Sequence, residues 1–209
     1  MKRVPRTSRD YQAAERRDQI LQGSKEMFAE HGFHGTSMRM INKHVGITDG
    51  LLYHYFPGGK QEILETIFNE AQEARVAVLD KLIASIGPDL PLETALTQFL
   101  FGMFKTLTGD REFIKIMFRD SESILSDNKN FMLEIIQQRH KSLTAVLEKR
   151  AASGEIHMMD FGLAAHQILS VGLVSVLCEV SFINLIGTKD ETETYIRNMV
   201  AFTVAQWRK

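Results

Sequence analysis

The sequence predicts an all-α protein: an N-terminal three-helix domain carrying a helix-turn-helix, followed by a larger helical domain, with about nine helices in all. Three observations lead there. The 209 residues are 44% hydrophobic, with four prolines, ten methionines, thirteen phenylalanines and few alternating Val/Thr-rich stretches, so helices are favoured over sheets and a sizeable core is available. Apolar residues recur at intervals of three and four along most of the chain. Finally, residues 37–56 read as two short helices, each opened by a capping hydroxyl, the first closed by Gly46 and the second by Pro57-Gly58-Gly59.

In chain order, Ile20, Leu21, Met27 and Phe28 define a helix from Arg16 to His31, which Gly32 stops. Thr36-Ser37 opens a two-turn helix with Met38, Ile41 and Val45 inside. Thr48 opens the next, through Leu51, Leu52 and Tyr55. Two short helices joined by a glycine-containing turn make a helix-turn-helix, although spacing alone also suits an ordinary helical hairpin. A long helix from about Lys60 to Ile86 follows, with Ile63, Leu64, Ile67, Phe68, Ala71, Val78 and Leu82 as its stripe. After Gly87-Pro88, with Pro91 in its first turn, the next helix reaches about Leu107. Further helices are expected at Asp110–Leu125, Asp127–Ser153, Asp160–Ile186 and from Lys189 to the end, the last opened by a capping box of Thr188 and Glu191.

The net charge of −1 hides an asymmetry. Residues 1–60 hold ten Lys/Arg against six Asp/Glu, a net +4, which leaves fifteen against twenty, or −5, for the remainder. A positive N-terminal part suits a polyanion. The single cysteine, Cys178, forms no internal disulfide, and the basic start (Lys2, Arg3, Arg6, Arg9) lacks the apolar stretch of a signal peptide, so a cytoplasmic location is expected. Ile168–Ile186 has the length of a membrane span, but Glu179 and four Ser/Asn side chains load it with polar groups; a buried helix of a soluble protein is expected, with no membrane partner. Neither HExxH, GxSxG nor a P-loop is present, and the seven histidines form no ligand set. No catalytic residue, metal or cofactor is expected.

Thr36-Ser-Met-Arg-Met-Ile41, then Val45-Gly-Ile-Thr-Asp-Gly-Leu-Leu-Tyr-His-Tyr-Phe56, then Lys60 resemble the DNA-binding domain of the tetracycline-repressor (TetR) family. The likeness extends back through Phe28-Ala-Glu-His-Gly-Phe33 and forward to Glu62-Ile-Leu64. It implies a DNA-binding domain at 14–74, with the helix-turn-helix at about 37–56, and an effector-binding and dimerisation domain at 75–209. It further implies that the helix from Thr48 to Tyr55 enters the major groove of double-stranded DNA. The residue chemistry agrees: Arg39 suits the guanine edge, and Leu51 or the Tyr53 ring suits thymine methyls. Thr36, Ser37, Thr48, Tyr53, His54, Tyr55 and Lys60 suit phosphate oxygens, while Gly50 allows close approach to the groove. Thr48 equally suits a plain helix cap, Tyr55 and Phe56 the small domain's core, and His54 an exposed position without a role. Two residues depart from the family pattern. Asn42 stands where alanine is usual and needs a polar partner, and Asp49 stands where lysine is frequent and repels phosphate unless it accepts from cytosine N4.

For the large domain the resemblance implies a homodimer through the last two helices, about 160–187 and 189–208, with Gly172 and Ser175 allowing close approach and Tyr195, Met199, Phe202 and Trp207 adding cover. It also implies a small-molecule effector, apolar or amphipathic, among helices rich in Phe and Met. Phe101, Phe104, Phe113, Met117, Phe118, Arg119 and His140 are the candidate ligand residues, although such a stripe equally suits a core. The function implied is a transcriptional regulator, usually a repressor, in which effector and DNA weaken each other's binding through the helix at Lys60–Ile86. The competing reading is a helical adaptor that uses its small domain for protein contacts.

Overall fold

The computed structural model describes residues 7–180, 186 and 189–208, with the backbone alone described at 121–132, 189 and 190. Among the described residues there are nine helices: α1 Ser8–His31, α2 Met38–Val45, α3 Asp49–Tyr55, α4 Gly59–Ala84, α5 Leu92–Thr108, α6 Arg111–Arg119, α7 Ser121–Ala152, α8 Phe161–Val180 and α9 Lys189–Trp207. The protein is all-α, and contacts divide it into two compact units. The first is drawn from Met1–Gln72 and Glu112–Asp127, the second from Glu73–Arg111 and Asn128–Lys209.

In the first unit α1 begins eight residues before the expected Arg16. Thr7 accepts a hydrogen bond from the Asp10 amide, and the Asp10 carboxylate accepts one from the Thr7 amide at 3.0 Å, a reciprocal cap. Such a cap plus good helix formers at 12–16 sustains the helix without an apolar stripe. Ser37 caps α2 by accepting from the Met40 amide, and Thr48 caps α3 by accepting from that of Leu51. Between them Gly46 ends α2 at φ 74°, a left-handed conformation in which a side chain is strained. Ile20, Phe28, Ile41, Leu52, Phe56, Ile63, Leu64 and Phe68 are all buried and close the unit's core. α6 joins it: Phe113 is buried and stacks on Phe68, ring centroids 6.4 Å apart.

The expected helix Asp110–Leu125 is broken at Asp120. The backbone turns there because the Asp120 carboxylate accepts the Phe33 amide at 3.0 Å, while the Arg119 guanidinium donates to the Glu30 carbonyl. The end of α6 is thus fastened to the end of α1.

In the second unit α5 packs against α8 and α9. Leu96, Phe99, Leu100, Met103 and Phe104 meet Ala165, Ile168 and Val171 of α8 and Ile196, Val200 and Val204 of α9, with Leu143 and Leu147 of α7 completing the core. Pro91 stands just before α5, not in its first turn, and the Glu155 carboxylate takes the Leu92 amide at 2.7 Å in place of a side-chain cap. Beside it Arg150 is buried, paired with Glu155 and donating to the Gly87 carbonyl. Gly172 and Ser175, expected to ease approach of a second chain, serve contacts within this one. A Cβ on Gly172 would collide with Met103, and Ser175 is fully buried with its hydroxyl donated to the Val171 carbonyl. On α4, Val78 of the expected stripe is exposed. The Thr188 cap and the stretch 181–185 lie outside the described residues.

α8 is long and apolar enough to cross a membrane by length and composition, and half of that window is buried inside the protein. Its other face, with Leu163, Leu173, Val174 and Leu177, is exposed.

Candidate nucleic-acid interface

The core decides which residues of α2 and α3 face outward. Ile41 and Leu52 are buried completely and Phe56 almost so, which fixes both short helices by one face each. The opposite faces then present Ser37, Arg39, Lys43, Thr48, Asp49, Gly50, Leu51, Tyr53 and His54 to solvent, with Tyr55 half-buried. Arg39 makes no hydrogen bond or ion pair with any described residue, so its five donors remain available. Leu51 and Tyr53, 36% and 49% exposed, are the large exposed apolar side chains of α3. A side chain at Gly50 would meet nothing within 4 Å, so the glycine is not required by the chain's own packing and simply leaves the helix surface low. The His54 and Tyr55 rings meet edge to face at 5.2 Å.

Two expected phosphate donors are used differently. Thr36 is buried, its hydroxyl lying 2.7 Å from the Gly32 carbonyl and 3.1 Å from that of Met27. One hydroxyl proton shared between two carbonyls leaves none for a ligand. The Lys60 ammonium donates to the carbonyls of Phe33 and Thr36, at 2.7 and 2.9 Å, and lies over the Phe33 ring, 4.4 Å from its centroid. Both residues therefore build the loop that leads into α2. Phe33 is held from both sides, its amide by Asp120 and its carbonyl by Lys60. Asp120 had no signal in the sequence, because its partner lies 87 residues away.

The two departures from the family pattern bond to each other. The buried Asn42 amide nitrogen donates to the Asp49 carboxylate, tying the end of α2 to the first turn of α3. A carboxylate there also favours the positive end of the helix. The Asn42 carbonyl oxygen is buried without a partner, so the amide is oriented by this one bond. On α2's other flank the His44 ring meets the Glu26 carboxylate at 2.7 Å. Bonds from His44 and Gln22 hold Glu26 below its usual 4.5.

The seven candidate ligand residues do not assemble within one unit. Phe113, Met117, Phe118 and Arg119 belong to the first; Phe101, Phe104 and His140 belong to the second. Phe113 is core, Phe118 is 56% exposed, and Arg119 is engaged with Glu30. In the second unit Phe104 is core, Phe101 lies under the Arg197 guanidinium at 4.7 Å, and His140 bonds the Gly162 carbonyl at 2.9 Å with its ring against His166. No group of three or more potential metal ligands occurs among the described residues.

A capped helix-turn-helix with outward-facing donors, followed by an all-helical unit, is an arrangement that helix-turn-helix DNA-binding proteins share. Residues 20–67 match the family model of bacterial regulatory proteins, tetR family. The chain is 27% identical over 135 residues to the HTH-type transcriptional regulator LmrA of Bacillus subtilis, covering 64% of this chain and 70% of that one. It is 29% identical over 133 residues to the HTH-type transcriptional repressor KstR2 of Mycolicibacterium smegmatis, covering 62% and 60%. Among solved structures, FadR of Bacillus subtilis in complex with stearoyl-CoA shares the fold at a TM-score of 0.64 and 23% identity, over 90% of this chain and 97% of that one. Over residues 20–67 the chain is thus similar to the tetR family of bacterial regulatory proteins. These relatives are named as transcriptional regulators or repressors.

Proposed function

We propose that the chain binds a pseudo-palindromic operator as a homodimer, acts as a repressor in the cytoplasm, and is released by an apolar or amphipathic small molecule. The observation that carries the DNA reading is the division of α2 and α3 into a buried apolar face and an exposed face with a free arginine. Arg39, Tyr53 and Leu51 would read bases or thymine methyls, while Ser37, Thr48, His54 and Tyr55 would hold phosphates. The domain division follows, with recognition in 14–74 and effector binding and pairing in 75–209.

The exposed apolar stripe of α8 supports a second copy as its cover. Leu163 and Leu177 are two heptads apart, and with Leu173 and Val174 they form one face that water solvates poorly. A two-fold pair built there would set the recognition helices about 34–36 Å apart or a multiple of that, hence the palindrome. The effector class is supported by the phenylalanines of α5 and α6 and by the stearoyl-CoA bound to the related FadR. Phe101, Phe104, Phe113, Met117, Phe118, Arg119 and His140 remain the residues to mutate for it.

The test is selection of duplexes from random sequence by the full chain, followed by binding at several salt concentrations. An enriched inverted repeat bound with a steep salt slope, and weakened by stearoyl-CoA or another amphipathic acyl ligand, is the expected result. Failure to enrich any sequence, even at low salt, would leave the adaptor reading in its place.

A further inference from the structure

The first turns of α1 carry a second set of exposed donors, on the side that faces α3. Arg9, Gln12, Arg16 and Gln19 recur at helical spacing, so they share one face. That face and α3's Leu51 and Tyr55 line one open groove. Arg9 and Arg16 are exposed, and neither makes an ion pair with a described residue. Their neighbour Arg17 differs: it is paired with Glu70 at 3.0 Å and stacked 5.3 Å from the Phe56 ring centroid, so it belongs to the fold. The opposite side of α1 is acidic, with Asp18 and Glu26 lining a separate groove against α2, and Glu15 borders both grooves. Positive charge is therefore concentrated on the α3 side of the helix. The matched family segment starts at residue 20, so these turns lie outside it.

We propose that Arg9, Gln12 and Arg16 form a phosphate-binding rail that continues the recognition surface and holds duplex DNA flanking the bases read by α3. Seven residues of helix separate the two arginines by about 10 Å, so they reach different phosphates. The groove's shared wall with Leu51 and Tyr55 puts the rail next to the helix assigned to the major groove. Guanidinium groups with no partner among the described residues suit phosphate oxygens, and Gln12 adds a neutral donor. Glu15 limits the strip to one side of α1. The rail contributes affinity without reading sequence.

This rests on the DNA-binding reading, and the experiment separates the two. Binding of the full chain to its selected duplex, with long flanks and with flanks trimmed, is measured against salt for wild type, R9A/R16A and R9K/R16K. Far-UV circular dichroism checks that α1 persists. Wild type is expected to prefer long flanks. R9A/R16A should lose that preference and lower the slope of log K against log salt by about 0.9 per phosphate, hence about 1.8 per bound subunit, with base preference unchanged. The lysine pair should keep the slope. A double alanine variant with wild-type slope and flank preference overturns the rail while leaving the DNA reading intact, and so does one that loses affinity at constant slope. A wild type that binds no duplex overturns both.

Discussion

The exposed face of α2 and α3 and the exposed face of α8 are made of opposite materials. The first offers Arg39, Thr48, Tyr53 and His54 around a small apolar surface; the second offers Leu163, Leu173, Val174 and Leu177. Each rests on a well-packed core, so neither face is exposed for want of packing. Free donors suit a charged partner that water also solvates, whereas a leucine stripe gains from a partner that excludes water. Recognition through α2 and α3 and assembly through α8, as proposed, would draw on separate helices with different surface chemistry.

The largest effect is expected from charging the apolar face. Leu173→Asp with Leu177→Asp should leave the helical circular dichroism intact, turn the chain monomeric by sedimentation, and weaken operator binding by about a hundredfold, as loss of the second recognition helix requires. A dimer that survives both changes would remove α8 from the interface. In the other region, Phe56→Ala should cost about 3–5 kcal/mol in denaturant unfolding, because it empties the centre that orients α2 and α3. A smaller loss would mean that those helices are held elsewhere.

The short helices were legible because their signals are local. Ser37, Gly46 and Thr48 act within three or four residues of themselves, and the structure uses each as expected. The start of α1 was not legible from apolar periodicity, because Ser8–Glu15 is held by a polar cap and helix propensity. Distant pairings were hidden for a different reason. Asn42 and Asp49 each stood out singly as oddities, but only the fold brings an end of α2 against the start of α3. Thr36 and Lys60 have donor chemistry that suits phosphate equally well as backbone carbonyls, so residue type alone does not tell a ligand contact from a loop clamp. Gly172 similarly reads as a close approach without revealing that the approaching chain is α5.

Those pairings sharpen the contrast at intermediate magnitude. Asp120→Ala leaves the buried Phe33 amide without an acceptor, a loss of about 1–3 kcal/mol, with faster hydrogen exchange at the start of α2. Asp120→Asn keeps an acceptor and should restore most of it; equal losses in both variants would deny the bond its role. Asn42→Ala should weaken operator binding several-fold by freeing the Asp49 carboxylate toward phosphate, and adding Asp49→Asn should recover it. If the double variant binds no better than Asn42→Ala, repulsion is not the cause.

The smallest effect concerns acid. Glu26 is held below its ordinary value, so its bond to His44 adds stability that is complete above about pH 4.5 and fades as pH falls through the lowered value. Glu26→Gln should therefore lower the melting temperature slightly near pH 6, with the difference from wild type closing in strong acid. A difference that grows on acidification would reverse the sign.

The most direct test of the division between the two faces is discrimination at the recognition face alone. Binding of wild type and Arg39→Ala to the selected duplex and to a scrambled duplex, at one salt concentration, yields a specificity ratio for each. If Arg39 reads a base, its removal lowers that ratio about tenfold to a hundredfold per contacted position while the chain remains dimeric and still binds random duplex weakly. An unchanged ratio would contradict the account, because the free guanidinium on the outward face of α2 would then read nothing.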